Sequence, residues 1–156
     1  MDPSPTDALQ PWFFQQEPRG KAWRELLTAA GASVTRGLLV LRTDAPMAQR
    51  GVEVLAALTP WRIPSQAWPL PGPPAPGAEA LWFRVDEGSL ALLARCADGL
   101  YEWTQPDLPE DLCLFRPDGA PWLITLAHAR DASLLLHEAE RRQIARRYPS
   151  VAPLLG

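Results

Sequence analysis

Between Trp103 and Asp131 the chain gathers many of its chemically capable side chains: Asp107, Glu110 and Asp111, then His128 and Arg130. Paired carboxylates with a histidine can serve as general acid and base, and an arginine can hold an anionic group. Asp107, Glu110, Asp111, His128 and Arg130 are therefore the candidate catalytic set of a small hydrolase-like enzyme. The competing reading gives each a structural task. Asp107 and Asp111 suit turn bonds to backbone amides, Asp118 suits a hairpin turn, and His128 and Asp131 bound a tight connection. Glycoside hydrolysis needs no more than two carboxylates, so a pair such as Asp107 and Glu110 is too common to identify an enzyme.

The motifs of better-defined chemistries are absent. There is no G-x-S-x-G elbow, no Walker A loop and no G-x-G-x-x-G. Lys21 is the sole lysine, so none lies near Asp107 to complete a nuclease-like constellation. His128 and His137 have no cysteine at zinc-ligand spacing, and neither a metal nor a cofactor is expected. Cys96 and Cys113 lie in apolar settings that suit buried free thiols. On this reading the protein is non-enzymatic.

Charge is unevenly spread. The formal charge of -3 arises from +1 over residues 1–78, -6 over 79–136 and +2 over 137–156. Asp98, Glu102, Asp107, Glu110, Asp111 and Asp118 are opposed within their own segment by Arg116 alone. A field of one sign steers an oppositely charged partner. Aromatic side chains beside it can anchor a contact. The expected binding face is thus Trp103, Asp107, Glu110, Asp111, Asp118 and Trp122, with Tyr101 nearby, facing a protein with a basic surface. Phosphate contacts need basic residues, so nucleic acid is not expected there. Arg141, Arg142, Arg146 and Arg147 read as a helix end whose cations complement the dipole and the nearby Glu138 and Glu140.

These residues need a scaffold. A chain of 156 residues, 47% hydrophobic, suits one domain with its own core. Trp23, Leu26, Leu27 and Ala30 mark a helix over Lys21–Ala30. Residues 34–42 read as a strand covered on both faces. Asp44 is placed to cap a second helix with Pro46 in its first turn, an apolar face of Met47, Val54, Leu55 and Leu58, and an end at Pro60. Residues 60–78 hold seven prolines, which forbid a central strand or helix and predict an extended surface connector with Trp61 and Trp68 packed inward. Leu81–Val85 alternates as a strand, and Asp86 caps a helix to about Cys96. Leu112–Phe115 and Trp122–Ala127 form a hairpin about Pro117-Asp118-Gly119. After a turn at His128–Asp131 come a strand at Ser133–Leu136 and a polar helix over His137–Tyr148. The prediction is α+β: a single domain over 21–150, mostly antiparallel, with a C-terminal meander and helices packed on the sheet. Residues 1–20 are an N-terminal arm pinned by Trp12, Phe13 and Phe14, and 151–156 a tail.

The stretch LPEDLCLFRPDGAPWLITLAHARDASLLL, residues 108–136, resembles a segment of small uncharacterised bacterial α+β proteins of the immunity-protein kind. In that pattern His-Glu stands where this chain has His128-Ala129. The resemblance implies a protein that neutralises a cognate toxin and brings no catalytic residues with it. Fourteen arginines against one lysine, with no asparagine, fit GC-biased bacterial coding. With no apolar run of membrane-spanning length and no leader-like N-terminus, a soluble cytoplasmic protein that does not engage membranes is expected.

Overall fold

The computed structural model describes residues 8–156. Trp23, Leu26, Leu27 and Ala30 are all buried on one side of the helix Lys21–Ala30 (α1), as their spacing requires. The Asp86 carboxylate accepts the Ser89 N–H at 3.0 Å, and the Ser89 hydroxyl accepts the Asp86 N–H at 2.9 Å. This reciprocal cap starts the helix Glu87–Cys96 (α3). The second helix, Gln49–Leu58 (α2), begins later than the Asp44 cap predicts. Asp44 instead pairs with Arg42 at 3.6 Å. The Gln105 amide ties down the intervening backbone by donating to Arg42 O and Ala45 O at 2.8 and 2.9 Å. The last helix, Glu138–Arg147 (α4), starts where Glu140 accepts the His137 N–H at 2.8 Å.

The strands are Gln10–Phe13 (β1), Arg36–Arg42 (β2), Ala78–Arg84 (β3), Glu110–Phe115 (β4), Pro121–Leu126 (β5) and Asp131–Leu136 (β6). They form one six-stranded sheet in the order β1-β6-β5-β4-β2-β3, antiparallel throughout. The fold is α+β. The β4–β5 turn closes as its Pro-Asp-Gly sequence predicts: Arg116 N–H donates to Ala120 O at 2.8 Å, and Gly119 takes φ +91. The arm and tail differ from expectation because their backbones complete the sheet edge. β1 pairs with β6, and Phe13 and Gly156 exchange two hydrogen bonds of 2.9 Å. Pro11 lacks an N–H, which further limits this edge. The part of the arm before residue 8 lies outside the described residues.

One face of the sheet carries the helices and the main core, including Trp23, Leu39, Leu58, Phe83, Leu93 and Leu134. A register shift between β4 and β5 turns both Trp122 and Leu123 to that face. Gly37 is required in β2, since a Cβ there would lie 2.2 Å from the Phe83 ring across the strand pair. The other face bears a smaller cluster of Leu38, Trp82, Cys113 and Phe115, covered by Ile63, Trp68 and Leu70 of the proline-rich connector. Trp61 packs instead against the helix-side core and donates its indole N–H to Asp86 at 2.9 Å.

Cys113 lies fully buried in this second cluster, and burial pushes its thiol up to about 12. Cys96 is half-buried on α3. At about pH 8, where accessible thiols react as thiolates, a disulfide-exchange reagent is expected to label Cys96 in the native protein. Cys113 should react only after denaturation. Fast labelling of both would show that the connector does not seal the second cluster.

Candidate functional site

The loops carrying the predicted residues converge at one end of the sheet, where β4 begins and β5 ends. Asp111 sits at a register irregularity with a left-handed backbone, φ +57. Its N–H donates to Trp103 O at 3.1 Å, and its Oδ1 accepts the Ala127 N–H at 2.8 Å. It thus joins the start of β4 to the 3₁₀ turn Ala127–Ala129 that follows β5. Burial raises its pKa, with Glu110 adding to the rise, while the Ala127 bond, His128 and Arg42 oppose it. Glu110 faces Arg42 at 3.9 Å. Asp107 and His128 are exposed at the same end.

Glu110, Asp111 and His128 are therefore brought together, Asp111 holding a turn and Glu110 facing an arginine, while Asp107 is exposed on the turn before β4. The Asp111 oxygen that a general base would use holds the backbone of the β5–β6 connection. Arg130 does not present an open anion site. Its guanidinium lies 5.1 Å above the Tyr101 ring and 3.4 Å from Glu17. Asp118 is at the far end of β4, about 20 Å away at ~3.3 Å per residue, where it accepts the Ala120 N–H at 2.9 Å.

The aromatic anchors need correction. Trp103 and Trp122 are 0% and 1% exposed, so neither can seat in a partner. A large ring flanking a strand is drawn into the core by its own apolar area. The continuous acidic face is also broken up by arginines distant in sequence. Glu102 accepts from Arg50 at 3.1 Å and faces Arg19 at 3.6 Å. Arg116 turns away from the acidic segment altogether, forming a two-point pair with Glu140 at 2.9 and 2.8 Å. Counting charges along the chain assigned neither pairing. At the basic C-terminal helix, Glu138 pairs with Arg141 and Arg142, and Arg141 covers Trp12 at 4.8 Å.

Glu17, outside the predicted set, and Tyr101, expected beside the binding face, are central to this end of the molecule. Glu17, from the segment between β1 and α1, has a side chain 6% exposed. Its Oε2 accepts the Tyr101 N–H at 2.8 Å, and its carboxylate also accepts from Arg19 at 3.1 Å. Burial raises the Tyr101 pKa, reinforced by Asp131 and Glu17 and opposed by Arg130. Glu17 and Tyr101 are 84 positions apart, and nothing local in a Pro- and Gln-rich stretch marks Glu17 as a partner.

A larger groove of about 550 Å³ runs between α1 and α3, over Leu27, Thr28, Val85, Leu90, Ala91 and Ala94. Of its two acidic lining residues, Asp86 is already committed to the α3 cap, Trp61 and Arg84, and Glu87 is exposed in the first turn of α3. Among the described residues no group of three His, Cys, Asp or Glu side chains could hold a metal ion, and no helix is long and apolar enough to cross a membrane. No protein-family model, curated protein or solved structure matches this chain.

Proposed function

We propose that the chain is a non-enzymatic, cytoplasmic bacterial protein-binding module of the immunity-protein kind, which neutralises a partner by covering its basic surface. The observation that carries this reading is the composition of the end of the sheet just described. Asp111 there holds the β5–β6 connection and Glu110 faces Arg42, whereas Asp98, Asp107 and Asp131 are exposed. Leu126, 43% exposed, pairs across the strands with Asp131. An exposed apolar side chain beside a carboxylate suits a contact in which partner Arg or Lys groups donate charge-assisted bonds next to a small apolar centre. Leu126 takes the place that the buried tryptophans cannot fill.

The test is capture from a lysate of the source bacterium with tagged native protein and with the triple charge reversal Asp98→Arg, Asp107→Arg, Asp131→Arg. All three are exposed, so the fold should survive, which circular dichroism checks. Native protein is expected to retain one basic protein in equimolar amount at low salt and to lose it at high salt. The reversed variant should bind it about tenfold or more weakly. Capture that is indifferent to both salt and charge reversal would overturn the reading.

A further inference from the structure

The place that Arg130 occupies has the chemistry of a receptor for a basic side chain. One side is the face of the Tyr101 ring, and the other is the Glu17 carboxylate, buried and fixed by the Tyr101 N–H and Arg19. A desolvated carboxylate beside an aromatic face attracts a guanidinium through a charge-assisted hydrogen bond and a cation–π contact together. The present occupant is weakly held. The Arg130 side chain is 67% exposed and its contact with Glu17 is 3.4 Å, long for a charged hydrogen bond. Its backbone is left-handed at φ +52, an uncommon state for a residue other than glycine. A cavity of about 100 Å³ adjoins the site, lined in part by Gln15 and Gln16.

We propose that Glu17 and Tyr101 form a seat for a basic side chain of the partner, with Arg130 as an internal placeholder that swings out to admit it. The inference rests on the binding reading above for the source of that side chain, but the seat can be tested alone. While Arg130 fills the seat, apparent affinity for an incoming guanidinium falls in proportion to the fraction of open molecules.

The probe is N-acetyl-arginine methylamide, titrated into the ¹⁵N-labelled full chain and followed by amide chemical shifts. Arg130→Ala is expected to bind it about two- to tenfold more tightly than native protein, with the largest shifts at Tyr101 and its neighbours. Tyr101→Leu in the Arg130→Ala background should abolish the effect, and N-acetyl-glutamate methylamide should move nothing. Should Arg130→Ala lose its native spectrum, Arg130→Gln removes the charge while keeping the side-chain stem, and the same gain is expected. Equal binding by native and variant, or shifts away from Tyr101, would overturn the seat. Probe binding together with partner capture indifferent to charge reversal would sink the binding reading alone. Salt-sensitive capture without probe binding would sink the seat alone.

Discussion

Replacing Trp103 by alanine is expected to lower stability by about 3–5 kcal/mol, the usual cost of emptying an aromatic site in a close-packed core. The ring is wholly buried among the residues of the helix-side core, and its loop also receives the Asp111 N–H on the Trp103 carbonyl. A urea titration measures this as a fall in midpoint at unchanged slope. Trp103→Phe should cost much less, because the remaining ring keeps a large part of the buried apolar area. The outcome separates two roles for the same residue. An interface anchor would leave the midpoint where it is and weaken partner capture; a core residue does the reverse. An unchanged midpoint in Trp103→Ala would contradict the packing described above.

The second large effect is expected at Glu140. Its carboxylate accepts two bonds from Arg116 and a further one from Ser33 at 3.0 Å. Arg116 also donates to Leu135 O at 2.8 Å and is nearly buried. Glu140→Ala leaves that guanidinium without its counter-charge in a place water reaches poorly. Breaking such a pair costs about 3–5 kcal/mol when fully buried. Partial exposure of Glu140 places the expected loss nearer about 2–3 kcal/mol. Joint replacement, Arg116→Met with Glu140→Leu, should recover most of the loss, since the penalty is the stranded charge rather than the missing bond. Two single variants as stable as native protein would show the pair to be idle.

The same pair sets a pH dependence. Burial alone would raise the Glu140 pKa, but the bonds from Arg116, the His137 N–H and Ser33 outweigh it and hold the folded value below the ordinary 4.5. The folded state therefore binds the Glu140 proton less readily than the unfolded state. Its contribution is present above that ordinary value and is lost as pH falls through the depressed folded one. Thermal melts of native protein should show this acid-side loss, and the joint replacement should flatten that part of it.

Much of the scaffold was legible because its signals are local. The spacing of Trp23, Leu26, Leu27 and Ala30, the Asp86 cap three residues before Ser89, and the Pro-Asp-Gly turn each act over one or two turns of chain. The α+β class followed from their order. The second helix was placed too early because the competing bonds to Asp44 and its neighbours come from Arg42 and from Gln105, the latter 60 residues away from Ala45. β1 was missed because a four-residue strand containing a proline is defined by its partners, β6 and Gly156, and hardly at all by its own residues.

The chemically capable residues divide in the same way. Sequence alone determined which side chains are present and that conventional catalytic motifs are not. It also limited the tight turns to the places where Asp and Gly stand. The tertiary structure decided which charges are free: it delivered Arg19, Arg42 and Arg50 to carboxylates that look unopposed in one dimension, and it sent Arg116 to Glu140. It also buried the two tryptophans and put Glu17 against Tyr101. The physical reason is that electrostatic pairing and burial depend on distance through space, and a sheet that inserts β2 between β4 and β3 makes neighbours of residues that no local pattern connects.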